Sequence, residues 1–140
     1  MREVLIKKAR AFLDEGYTCA LLKGEQVHLS KERGISVLNT WIETGVDSAQ
    51  AVAADKVVGK AAAYFYVLLG VAFVHANTIS EGAAEVFERF GVEYSYGELV
   101  AAIRNRKGDG FCPMEQAVWE ATEPAEARRL ILLKLEELKG

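Results

Sequence analysis

The succession of helix-like and strand-like segments predicts an α/β domain built on one mixed sheet. Three observations carry this. Segments with apolar residues at offsets of three and four are interspersed with short β-prone runs. Two of those runs are joined tightly enough to form an antiparallel hairpin. A continuous apolar run at residues 71–75 lies between two helical segments, as a crossover strand buried on both faces would.

In chain order, Val4, Leu5, Ala9, Phe12 and Leu13 predict a first helix over residues 2–15, ended by Gly16. Residues 17–23 and 26–30, with Gly24-Glu25 between them, predict the hairpin. Ile35, Leu38, Trp41 and Ile42 share a helical face that Gly45 closes. Residues 47–54 are small and weakly patterned and read as a connection. Asp55 stands as the N-cap or first-turn carboxylate of a helix running to Leu69, which Gly70 stops. After the strand at 71–75, Thr78-Ile79-Ser80-Glu81 reads as a capping box for a helix that ends at Gly91. A short strand at 92–95, a helical turn at 99–103, a polar loop at 104–111 and helices at 114–122 and 124–138 complete the order. Val67, Leu68, Val71, Phe73 and Val74 are the expected centre of the core, because their pattern is continuous and does not alternate.

The chain has 140 residues, a length that one core usually serves, so residues 1–140 are read as a single domain. A formal net charge of −3 argues against strong nucleic-acid binding through phosphate neutralisation. The longest apolar run, 61–76, is too short to span a bilayer and is interrupted by Gly70, so no membrane partner is expected. Cys19 and Cys112 lie far apart without CxxC spacing, and reduced thiols in the cytoplasm are the default reading. Self-association into a homo-oligomer is compatible with the sequence and left open by it.

Two stretches could carry chemistry. In the first, Lys56 and Lys60 would emerge one helical turn apart beside Gly59, which removes a side chain and lets a ligand or another backbone approach. With Asp55 and a helix N-terminus they would make an anion site; the competing reading is a plain N-cap with a solvated lysine edge. In the second, residues 104–115 combine Arg104, Asn105, Arg106 and Lys107 with two glycines and with Cys112-Pro113 opening a helix. A thiolate would be favoured there, so Cys112 is the better candidate nucleophile, while Cys19 reads as a small core residue. No histidine is near Cys112 in sequence to act as its base, so a structural role at the helix start competes with the reactive one. His75 ends the predicted central strand, where α/β sheets commonly bind ligands, and could equally be a satisfied structural histidine. Glu81 and Glu115 each fall in a first helical turn, where capping and dipole effects account for them. No HExxH, no HxE with PCxxC, no Walker loop and no GxGxxG occurs, so neither a metal nor another cofactor is expected.

The runs ADKVVGKAAA (54–63), TISEGA (78–83), IRNR (103–106) and CPMEQAV (112–118) resemble an uncharacterised prokaryotic family of unknown function with a cytidine-deaminase-like fold. The resemblance spans nearly the whole chain. It implies a three-layer α/β/α sandwich in which the hairpin and later strands form one mixed sheet. Zinc deaminases of that fold carry HxE where this chain has Asp55-Lys56-Val57 and PCxxC where it has Thr78-Ile79-Ser80-Glu81, so the zinc motifs are absent and deaminase activity does not carry over.

The resulting expectation is a metal-free deaminase-fold protein that binds a nucleotide-like or phosphorylated small molecule. Its contacts would be Asp55, Lys56, Lys60, His75, Thr78, Ser80, Glu81, Asn105, Arg106, Cys112 and Glu115. Two alternatives stand beside it: an enzyme of undefined reaction using Cys112 or Asp55, and a structural or regulatory interaction protein with a vestigial cleft.

Overall fold

The computed structural model describes residues 2–32, 35–104, 108 and 110–139. The elements are α1 (Arg2–Asp14), β1 (Cys19–Lys23), β2 (Gln26–Ser30), α2 (Ser36–Thr44), β3 (Val52–Val58), α3 (Lys60–Leu69), β4 (Phe73–Ser80), α4 (Glu81–Phe90), β5 (Glu93–Val100), α5 (Pro113–Ala117) and α6 (Pro124–Lys139). The strands form one mixed α/β sheet in the order β2-β1-β3-β4-β5. β1 runs antiparallel to both β2 and β3, and β3, β4 and β5 are mutually parallel.

The first helix, the hairpin and the Gly45-capped second helix form where the sequence predicts them. The main correction is β3. It occupies the end of the predicted connection and the first turn of the predicted helix, so Asp55 and Lys56 belong to a strand and α3 starts only at Lys60. Alanine, aspartate and lysine are poor strand formers, yet tertiary position overrides propensity here. Ala53 and Ala54 are both fully buried, one in each of the two hydrophobic clusters that flank the sheet. Small side chains let helices press on this central strand from either side.

The strand predicted at 71–75 is shifted and longer, so Thr78 and Ser80 lie on β4 and the N-cap of α4 is Ser80, not Thr78. Ser80 Oγ accepts from Ala83 N–H at 3.1 Å. The short strand predicted at 92–95 is the eight-residue β5, which absorbs part of the predicted helical turn through its pairing with β4. The helix predicted over 114–122 is the shorter α5.

One face of the sheet packs on α1, through Ala9 and Leu13 against Ala20, Leu22, Val52 and Ala54. The larger cluster gathers residues of α2, α3, α4 and α6 against Leu21, Ala53, Val74 and Ala76. α3 is its centre: seven of its ten residues are buried, so it needs apolar side chains all round. Of the five residues expected at the centre of the core, Val71 and Val74 are buried, Val67 and Phe73 are half-buried, and Leu68 is 38% exposed. A helix that ends at Gly70 turns its last turn partly to solvent, which a continuous apolar run does not disclose. Among the described residues no helix is long and apolar enough to cross a membrane.

Candidate functional site

A cleft of about 960 Å³ opens beside the carboxyl end of β3. Its polar wall includes Asp55, Lys56, Cys112 and Glu115, and its apolar wall includes Ile35, Leu38, Met114 and Leu135. The start of β1 contributes Thr18 and Cys19, because Cys19 is the register partner of Asp55.

Asp55 is the most perturbed acid in the cleft. Its Oδ2 accepts from Tyr66 Oη–H at 2.7 Å and its Oδ1 accepts from Val57 N–H at 3.3 Å. Asp55 lines the cleft and is half-buried. Burial pushes its pKa from 3.8 up to about 7, against the donors from Tyr66, Val57 and Lys56, which favour the charged form. The same surroundings raise Tyr66 and Cys19, each first through burial and then through the charge of Asp55. Tyr66→Phe removes the strongest of those donors and is expected to move the Asp55 titration to still higher pH, read by carboxyl carbon NMR; an unchanged or lower midpoint refutes the assignment.

Glu115 answers why a glycine precedes α3. The N-cap Gly59 has extended backbone angles and no side chain to cap with. Glu115 reaches across from α5 instead: Oε1 accepts from Lys60 N–H at 2.7 Å and Oε2 from Ala61 N–H at 2.9 Å. A Cβ on residue 59 would overlap that carboxyl group. The amides that could have held an external anion are therefore occupied by the protein's own carboxylate. Burial raises the pKa of Glu115, and the two N–H donors and Lys60 offset part of the rise.

The structure brings together Asp55, Lys56, Cys112 and Glu115, and separates the other described residues predicted for the site. Lys60 does not share a helix face with Lys56, since Lys56 is on β3. Its Nζ donates to the Trp119 carbonyl at 2.9 Å and lies 5.9 Å from the Tyr64 ring centre, outside the cleft. Thr78, Ser80 and Glu81 do not line the cleft either. Ser80 is spent on capping α4, and Glu81 is exposed in its first turn. His75 lies inside β4, not at its end, and on the opposite face of the sheet, as alternation with the core residues Val74 and Ala76 requires. Asn105 and Arg106 lie outside the described residues, while their neighbour Arg104 does line the cleft. Cys112 is half-buried at the cap of α5, which spans only five residues, so the helix-dipole argument for a thiolate is weak. The sequence reading missed Tyr66 and the partnership of Glu115 with α3. Gly59 was the one available signal, since a glycine at a helix start marks close approach without saying by what.

Among the described residues no three His, Cys, Asp or Glu side chains converge as a metal site would require. The two helix starts compared with the zinc motifs carry Gly59-Lys60-Ala61 and Ser80-Glu81-Gly82, which do not fit zinc ligation.

Among curated proteins none matches the chain. The crystal structure of a DUF1893 family protein, TM1506 from Thermotoga maritima, is similar with a TM-score of 0.86 and 28% identity, covering 94% of this chain and 90% of that one. Residues 7–135 match the TM1506 family, a domain of unknown function (DUF1893), and the chain belongs to that family.

Proposed function

We propose that this chain is a metal-free protein of cytidine-deaminase-like, three-layer architecture that binds a nucleotide-like small molecule in the cleft beside β3. Support for the architecture is the hairpin and three parallel strands in one mixed sheet, with separate hydrophobic clusters on its two faces. The observation that carries the binding role is the cleft itself. It has the volume of a small-molecule site, is walled largely by apolar side chains, and holds a few convergent polar groups at the carboxyl end of a parallel strand.

The division of labour follows from charge. Lys56 and Arg104 are the cationic groups of the cleft wall and would face a phosphate. Asp55 would hold the polar edge of a ring packed against Ile35, Leu38 and Met114. Calorimetry with a panel of nucleosides and nucleotides tests this. A nucleotide is expected to bind, Lys56→Met to weaken it by roughly tenfold or more, and Lys60→Met to leave it unchanged. Failure of every nucleotide to bind, or equal binding by Lys56→Met, overturns the reading.

One observation favours a catalytic second reading: a carboxyl group held at about 7 in an open cleft can both accept and donate a proton near neutrality. On that reading Asp55 is the acid–base group, and turnover of the bound ligand would vanish in Asp55→Asn while binding persists.

A further inference from the structure

On the sheet face away from the cleft, we propose that Ser95, His75 and Asn77 form a nucleophile, base and positioning residue that hydrolyse small carboxylic esters, independently of any ligand in the cleft. His75 and Ser95 are register partners on β4 and β5, and Asn77 follows two residues after His75 on the same face. With the proton on Nε2, His75 donates to Asn77 Oδ1 at 3.2 Å, and its Nδ1 accepts from Ser95 Oγ–H at 2.7 Å. Both ring nitrogens thus have partners, and the tautomer held by Asn77 is the one that can take the serine proton.

The surroundings suit the role. His75, in the middle of the chain of hydrogen bonds, is buried at 4% exposure, while its partners are more open, Ser95 half-buried and Asn77 exposed. α1 packs chiefly on β1 and β3, and the residues that follow Ser95 on β5, 96–99, are exposed. Gly97, two residues after Ser95, marks a close approach of the two strands: a Cβ there would come within 2.9 Å of the Asn77 carbonyl oxygen, so the missing side chain lets β5 lie against the backbone of the positioning residue. Burial and the positive charge of Arg10 on α1 lower the pKa of His75, so the ring is a free base at neutral pH. The same Arg10 charge would favour an oxyanion forming nearby.

The chemistry balances without a further reactant. Ser95 Oγ bonds to the ester carbonyl carbon as its proton passes to His75 Nδ1. The carbon–alkoxy bond then breaks, and that proton goes to the departing alcohol oxygen. Water next attacks the acyl-serine, giving its proton to Nδ1, and the carboxylic acid leaves as Ser95 Oγ recovers the proton. Throughout, Asn77 keeps the ring oriented without touching substrate.

Intact-mass analysis and peptide mapping after exposure of the full chain to a fluorophosphonate, with p-nitrophenyl acetate hydrolysis in parallel, tests this. One adduct on Ser95 is expected, absent in Ser95→Ala, and formed about 100-fold more slowly in His75→Gln. Asn77→Ala should lower kcat with little change in KM, and Asn77→Asp should restore it, which a purely structural role would not produce. The circular dichroism and melting of each variant separate unfolding from loss of chemistry. No adduct on the wild-type protein, an adduct at another residue, or undiminished hydrolysis by Ser95→Ala overturns the proposal, whatever the cleft binds.

Discussion

Replacing Gly59 by alanine is expected to destabilise the fold by about 3 kcal/mol or more, and nearly all of that cost should disappear when Glu115 is first replaced by alanine. The backbone at residue 59 has φ of −97°, so alanine is allowed there and no intrinsic strain is introduced. The cost comes from the neighbour: a Cβ at residue 59 would overlap Cδ and both carboxyl oxygens of Glu115. Glu115 can swing away, but it then abandons the Lys60 and Ala61 amides, each bond to a charged acceptor contributing roughly 1.5–3 kcal/mol. Glu115→Ala alone loses the same two bonds and should cost a comparable ~3 kcal/mol. In that background the overlapping carboxyl group is gone, and Gly59→Ala should fall within about 1 kcal/mol of neutral. Urea denaturation midpoints of the four proteins measure the cycle. Additive costs, with no coupling between the two positions, would show that Glu115 does not cap α3.

The second large effect is a pH-dependent stability carried by Asp55. The folded protein holds this proton up to about pH 7, whereas the unfolded chain releases it near 3.8. Its contribution is therefore fully present below about pH 3.8 and is lost as pH rises through about 7, in total on the order of 4 kcal/mol. Glu115, also raised by burial, acts in the same direction. Asp55→Asn keeps the shape and the acceptor for Tyr66 but cannot ionise. Between about pH 5 and pH 8 the wild type should lose roughly 2–3 kcal/mol more stability than Asp55→Asn. Comparing the two at both pH values cancels the common contributions of Glu115 and His75. Parallel behaviour of wild type and variant would place the Asp55 carboxylate in ordinary solvent.

Local chemistry was enough to read the elements whose boundaries are set by their own residues. α1 shows a helical stripe, the hairpin has its glycine turn, and Gly45, Gly70 and Gly91 adopt the left-handed caps that end α2, α3 and α4. Strand β3 and the second half of β5 were hidden because they are made by their neighbours. Val52-Ala53-Ala54-Asp55-Lys56 has little strand propensity, and only β1 and β4 on either side make it the middle of the sheet.

The candidate site divides in the same way. From sequence one can see that Gly59 invites close approach, that Asp55, Lys56 and Cys112 belong to unusual stretches, and that the zinc motifs are missing. Which groups meet is a matter of tertiary structure: Glu115 is 55 residues from Lys60 yet supplies its cap, while Lys60, four residues from Lys56, points elsewhere. The reason is geometric. Sequence spacing fixes direction only within one element, so once residues 55–58 form a strand instead of a helical turn, the side chains at 55, 56 and 60 leave in directions set by the sheet, by α3 and by the helices packed against them.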